Sequence, residues 1–272
     1  MKNLFLFGLI LILTFLLFVG CNNSPPNVEE EQGQEISLDV FNFGNETLGT
    51  YKGEMENELP HGQGEFESYE DEHGYIWSYN GEWEYGKFEG HGTYENWHTD
   101  SLHRTKRTGV WKNSQLNGEG TSLINNRTIY KGNYKDDMYH GEGTLYHDYT
   151  RQEIFSGVFN KNVPDETSFK NSCKKEPFNK IKQNLSYYIA MPLVFTGKII
   201  ENNDDLLKVL VDEKNQDAIW VNFSIYSNVK IDNLNPEDEE INVYGYIDNS
   251  LAYDLNSESG EHIPLIVAYF YD

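Results

Sequence analysis

Glycine recurs in this chain at fixed offsets. With Gly53, Gly81, Gly109, Gly132 and Gly157 as anchors, the first four are followed nine and eleven residues later by further glycines: Gly62 and Gly64, Gly90 and Gly92, Gly118 and Gly120, Gly141 and Gly143. The anchors stand 28, 28, 23 and 25 residues apart. A period in that range marks a repeat architecture, in which each unit buries its apolar face against its neighbours. Two residues before the anchors stand Tyr51, Tyr79, Arg107, Tyr130 and Phe155, and two after stand Met55, Trp83, Trp111, Tyr134 and Phe159. Residues two apart share one face of a strand. Positions -2, 0 and +2 therefore line one strand, and +9, +11 and +13 a second. The residues from +3 to +8 then form the connection, and each unit is a β-hairpin. Glycine has no side chain, so a neighbouring ring can lie flat over it. The expected core is a column of rings on a column of glycines, with Lys52, Glu54, Asn80, Glu82, Lys131 and Asn133 on the opposite, solvated face.

The strings Tyr-Lys-Gly-Glu-Met, Tyr-Asn-Gly-Glu-Trp and Tyr-Lys-Gly-Asn-Tyr, each closing on Gly-x-Gly, resemble the membrane occupation and recognition nexus (MORN) repeat. The resemblance spans about residues 51–170 and implies one long, twisted, single-layer antiparallel sheet built of about five hairpins. Three departures stand out. Arg107 replaces the leading tyrosine of the third unit. Glu166 and Ser168 stand where the fifth unit would carry its paired glycines, as suits a terminal unit. Only the second unit keeps the family's connection glycine, Gly86. Ile36–Phe43 alternates at period two and is expected to cap the other end, which puts the repeat sheet at 37–172. The first two intervals hold extra polar stretches, Ser68–Ser78 and Asn96–Lys106, with Tyr75, Trp77, Trp97, His98 and His103. These are expected to project as longer hairpins from one end of the sheet.

The N-terminus reads as an address. Lys2 is the only charge before Glu29, and an apolar run follows from Leu4 to Val19. As a helix, that run of 16 residues rises roughly 24 Å, short of a hydrocarbon core of about 30 Å. Residues 1–20 thus read as a signal peptide. The run ends Phe18-Val19-Gly20-Cys21, which resembles the bacterial lipobox. That resemblance implies lipidation at Cys21 and anchoring to the extracytoplasmic face of a bacterial cell membrane. Residues 21–36 are polar and read as a flexible tether.

From about residue 174 the composition shifts. Phe178, Ile181 and Leu185 fall at helical spacing within Glu176–Tyr188. Strand-like runs follow at Leu193–Glu201, Leu206–Asp212, Ala218–Ile225, Glu240–Ile247 and His262–Tyr271, separated by acidic turns. A helix leading into five strands suggests a small closed barrel over 174–272. Val194-Phe-Thr-Gly-Lys-Ile-Ile, Val243-Tyr-Gly-Tyr and Pro264-Leu-Ile-Val-Ala resemble the OB-fold-like domains of small Gram-positive lipoproteins. The expected fold is therefore mainly β.

A net charge of -23 repels phosphate backbones and argues against nucleic acid as a partner. Aromatic content of 14% is too high for a disordered acidic chain. With two cysteines there is no disulfide framework, and Cys173 reads as a small buried apolar residue. The Gly-x-Gly pairs lack the third glycine and the helix of a dinucleotide site. His61 and His140 share position +8 and His91 lies near it, at no ligand spacing; Pro236–Glu240 lacks the residue ladder of a calcium loop. No catalytic or metal residues and no cofactor are expected. The expected function is a non-catalytic surface scaffold, anchored through its N-terminal lipid, for an unknown envelope protein. The alternative is a cell-wall glycan binder or wall-acting enzyme accessory using Trp83, Trp97 or Trp111.

Overall fold

The computed structural model describes residues 33–41, 46–203, 206–223, 234, 240–248 and 263–272. Cys21, residues 1–20 and most of the expected tether lie outside them. Eleven strands form one antiparallel sheet in sequence order. The edge strand β1 (Gln34–Leu38) pairs with β2 (Thr47–Glu56), so Gln34–Ile36, expected in the tether, are strand residues. The hairpins are β2 with β3 (Leu59–Ser68), β4 (Tyr75–Glu84) with β5 (Lys87–His98), β6 (Arg104–Lys112) with β7 (Gln115–Ile124), and β8 (Arg127–Lys135) with β9 (Met138–Tyr146). The fifth unit keeps β10 (Glu153–Asn160) but its second strand, β11, is only Val163–Pro164. The chain then turns into helix α1 (Glu166–Ser172), N-capped by Asp165, whose Oδ1 accepts from the Ser168 amide at 2.9 Å. Glu166 and Ser168, placed where paired glycines were missing, thus close the sheet as a helix.

The register aligns the glycines across the sheet. Gly53, Gly64, Gly81, Gly92, Gly109, Gly120, Gly132, Gly143 and Gly157 are successive cross-strand partners from β2 to β10. A side chain added at Gly64, Gly92 or Gly143 would overlap the ring and hydroxyl of Tyr51, Tyr79 or Tyr130. These rings lie on the glycine stripe, and their hydroxyls donate to Glu54 O (2.7 Å), Glu82 O (3.1 Å) and Asn133 O (3.1 Å). Trp83 stands edge-on between Tyr51 (5.6 Å) and Tyr79 (5.1 Å), and its indole N–H donates to Gly64 O at 3.0 Å. Trp111 repeats the contact one unit later, on Gly92 O at 3.0 Å. Gly62 and Gly90, at φ +71° and +54°, sit beside the ladder's register shifts in a backbone conformation only glycine adopts without strain.

The connection within each unit is shorter than the expected +3 to +8. It is a two-residue turn at +4 and +5, with both residues at positive φ, as at Asn113 (48°) and Ser114 (63°) or Asp136 (51°) and Asp137 (66°). Such turns match the twist of the strands they join. The tips of the third, fourth and fifth units are pinned to the hairpin before them. The Ser114, Asp137 and Asn162 amides donate to Phe88 O, Leu116 O and Tyr139 O, and their side chains accept from the amides of the same three residues at 3.1, 3.0 and 2.7 Å. The freed +7 residue lies in the second strand under the ring column: Tyr79 stacks on Phe88 at 3.8 Å and Tyr130 on Tyr139 at 3.7 Å. Much of the two inserted stretches is also strand. Their tips meet, with Thr99 Oγ1 donating to Glu70 at 3.1 Å and Tyr75 edge-on to His98 at 4.9 Å.

The C-terminal part is a small closed barrel preceded by short helices, α2 (Phe178–Gln183) and α3 (Leu185–Tyr188). Its strands are β13 (Pro192–Asn203), β14 (Leu206–Asp212), β15 (Asp217–Phe223), β16 (Glu240–Ile247) and β17 (Leu265–Tyr271), with the two-residue β12 (Lys174–Lys175) added beside β13. The ring runs β13, β14, β15, β17, β16 and back to β13, with β15 and β17 parallel. Among the described residues no helix is long and apolar enough to cross a membrane.

Sheet and barrel share one joint, and Gly33–Asp272 forms one compact unit across the expected boundary near 173. Phe169 of α1, fully buried, packs edge-on to Phe155 of the sheet (5.4 Å) and Tyr269 of the barrel (5.2 Å). Lys170 reaches Asp272 at 2.9 Å. His147, 3% exposed, accepts at Nδ1 from the Tyr149 and Thr150 amides and sets Nε2 3.6 Å from Asp248.

Two stability predictions follow from this packing. Gly92→Ala is expected to cost about 3 kcal/mol or more, because Tyr79 occupies the space of the new methyl. Gly120→Ala is expected to cost clearly less, about 1–2 kcal/mol, since its new methyl would first meet Thr108 O and the Tyr134 ring, both at 3.1 Å, and needs them to give by only a few tenths of an ångström. Equal losses by denaturant unfolding would contradict the ring-over-glycine account. Phe169→Ala is expected to cost about 3–5 kcal/mol and to split a single calorimetric transition into two. A transition that stays single would show that the coupling lies elsewhere.

Candidate functional site

The ring face carries one large irregularity. Positions -2 and +13 of each unit are direct cross-strand partners: Tyr51 with Phe66, Tyr79 with Tyr94, Arg107 with Ser122, and Tyr130 with Leu145. Three of these pairs are large and mostly apolar. In the third unit both partners change together, and the space they leave is a cleft of about 550 Å3. Its walls are the rings of Tyr94, Trp111, Tyr134 and Tyr139, with Asn96, Asp137 and Asn162 among them.

The polar groups of the cleft are held from behind. Arg107 Nη1 donates to Asp137 Oδ1 at 3.4 Å, and that oxygen also accepts from the Leu116 amide at 3.0 Å. Ser122 shares a 2.6 Å hydrogen bond with the Tyr134 hydroxyl. Asn162 is fixed on the Tyr139 amide. Burial, the largest cause, pushes the Tyr94 phenol up to about 12 and raises Tyr134 further. Arg107 and Asp137 offset one another, so the cleft presents donors and acceptors at near-zero local charge.

The residues expected to define the repeat fall where the pattern places them. Tyr51, Tyr79, Trp83, Trp111, Tyr130 and Phe155 are buried, at 4% exposure or less. Trp83 and Trp111 are core rings, leaving Trp97 as the more open indole; it lies in β5 on the opposite face, with the Arg104 guanidinium 5.0 Å above it. Among the described residues, no three His, Cys, Asp or Glu side chains converge as metal ligands, and His61, His91 and His140 stay apart. Cys173 is a half-buried free thiol whose burial pushes it up to about 12, out of the range of a reactive thiolate. Cys21 lies outside the described residues. Ser122, Asn96, Asp137 and Asn162 are not among the residues expected from the sequence. The signal for the first was a serine at +13, where other units carry Phe66, Tyr94 and Leu145. The signal for the last two was a hydrogen-bonding residue at +5.

With that geometry in place, the MORN repeat family matches residues 51–69, 79–96, 108–127 and 130–151. These four units are MORN repeats. The third match begins at Thr108, one residue after Arg107, whereas the others begin on Tyr51, Tyr79 and Tyr130. The fifth unit, truncated into α1, lies outside the matched MORN spans. No curated protein matches the chain.

The tyrosines of the ring column give a pH prediction. Burial lifts Tyr51 and Tyr130, with Tyr94, from the ordinary 10.0 to about 12. A raised folded-state pKa means that the stabilisation is complete below the unfolded value and is lost as pH climbs through the folded one. Phenolate absorbance from these rings is therefore expected to rise between about pH 10 and 12 only in step with loss of the β-sheet dichroism. Full ionisation near pH 10 with the sheet intact would contradict their burial.

Proposed function

We propose that this chain is a non-catalytic, lipid-anchored scaffold on the extracytoplasmic face of a bacterial cell membrane. On this reading Cys21 carries the lipid, residues 1–20 are removed, and the MORN sheet holds an envelope protein. The observation that carries it is the two-sided character of the sheet. Outside the Arg107 cleft the ring face is filled by its own aromatics, while the opposite face is an open polar surface. There Asn80, Thr93, Thr108, Thr121, Lys131, Thr144 and Ser156 form one in-register row across seven strands. Thr93 and Thr108 share a hydrogen bond at 3.1 Å, and Thr144 and Ser156 one at 2.9 Å. A polar surface with four of its seven side chains already paired suits protein recognition at low ordering cost. The lipobox-like Phe18-Val19-Gly20-Cys21 supports the address. The barrel's strand order supports reading it as OB-like, a fold that binds through one barrel face. The alternative, a wall-glycan binder, is favoured by one observation, the Arg107 cleft.

The test uses the full chain, because sheet and barrel share Phe169. Expressed in a bacterium fed labelled palmitate, it is expected to take up label and stay with the membrane, and Cys21→Ala to lose both. After crosslinking, an envelope protein is expected to co-purify with the wild type and to fall at least about tenfold with Thr121→Arg on the polar row. Label retained by Cys21→Ala would remove the anchor. Capture unchanged by Thr121→Arg would remove the polar face.

A further inference from the structure

We propose that the Arg107 cleft is a binding site for a neutral N-acetylated sugar. This goes beyond the scaffold reading and depends on neither Cys21 nor the polar face.

The cleft is built rather than left over. Two facing positions, Arg107 and Ser122, depart together from the large residues that every other complete hairpin carries there. Either change alone would leave a dent under the remaining side chain. Together they open about 550 Å3, within the range of small-molecule sites. The groups exposed by the change are preorganised. Asp137 and Asn162 are locked by backbone amides, and Tyr134 by Ser122. Arg107 is held by Asp137 through one of its five N–H donors, which leaves the others for a ligand.

Charge and polarity narrow the ligand. An anion must approach against a chain of net charge -23, and Arg107 is already offset by Asp137. A cation would meet Arg107 inside an aromatic enclosure. A purely apolar molecule would cover the Arg107–Asp137 pair and leave the remaining guanidinium N–H donors without acceptors, at a high cost. What remains is a neutral molecule with apolar faces and many hydrogen-bonding groups. A sugar ring has this character: its C–H faces pack on Tyr94 and Tyr139, the half-buried rings of the wall, while its hydroxyls meet Arg107, Asp137 and Asn96. An acetamido group adds a carbonyl acceptor for the free guanidinium donors and a methyl for the rings. An extended peptide is disfavoured because strand addition needs a sheet edge. The cleft lies on the face of β5 to β9, inside the edges β1 and β11.

The test titrates the full chain, in detergent micelles, with chitotriose, cellotriose and capped trialanine. Heat and tryptophan fluorescence are recorded. Chitotriose is expected to bind and to perturb Trp111. Cellotriose, lacking the acetamido groups, is expected to bind at least about tenfold more weakly, a loss of one good hydrogen bond. Two variants fill the cleft with residues that other units carry. Arg107→Tyr restores the ring column, and Ser122→Tyr copies Tyr94; each is expected to weaken chitotriose at least about tenfold. Arg107→Tyr is expected to keep or raise the melting temperature, and if it fails to fold, Ser122→Tyr decides. Arg104→Ala on the opposite face is expected to bind as the wild type does. Chitotriose binding unchanged by both filling variants would overturn the proposal. So would absence of chitotriose binding, equal affinity for cellotriose, or trialanine binding lost on filling, which would make the cleft a peptide site.

Discussion

A tyrosine ring resting on a bare glycine, with its hydroxyl bonded to a nearby carbonyl, is the contact on which the sheet depends. A single-layer sheet has no second layer to bury its apolar face. Here the face buries itself: rings at -2 lie on glycines at +11, and rings at +2 stand edge-on between successive tyrosines. Removing side chains from a whole stripe lets the rings lie low enough to touch one another. It also leaves strand carbonyls open to accept from Tyr79, Trp83 and Trp111. The core is therefore a surface layer of aromatics tied to the backbone beneath them, which is why so little aliphatic residue is needed.

Stacking between units is set at the hairpin tips. Each two-residue turn adopts the left-handed conformation at both positions, a strain for residues such as Ser114 and Asp137. In the third to fifth units the strain is offset because the turn amide and the turn side chain both bond the preceding hairpin. The same bonds fix how far each unit slides past the last. The repeat stops where these devices run out, at β11, and α1 turns Phe169 into the space between sheet and barrel.

Within so regular a structure, departures carry the information. The fifth unit departs to end the sheet and join the barrel. The third departs at Arg107 and Ser122, without loss of register or of its tip bonds, and only the ring face changes. A repeat that keeps its framework while opening a cleft has separated the residues that fold it from those free to take on a ligand.

Much of this was legible in the residues. The glycine offsets gave the hairpins, the two faces and the ring-over-glycine core. Leu206–Asp212 and Glu240–Ile247 were bounded as they stand in the barrel. The two-residue turns were not legible, because Asn57-Glu58 and Lys161-Asn162 lack the glycine that usually marks such turns. The joint was not legible either, since Phe169 and Tyr269 are far apart in sequence and meet only in the folded chain. By itself the sequence determined the repeat, its period and its mainly β character, because these follow from local spacing and from what glycine lacks. The spacing already set Arg107 opposite Ser122; only the tertiary structure decided that the two leave one cleft. Its walls include Asp137 and Asn162 from the tips of the next two units, and how units stack depends on tip-to-hairpin bonds that no single unit contains.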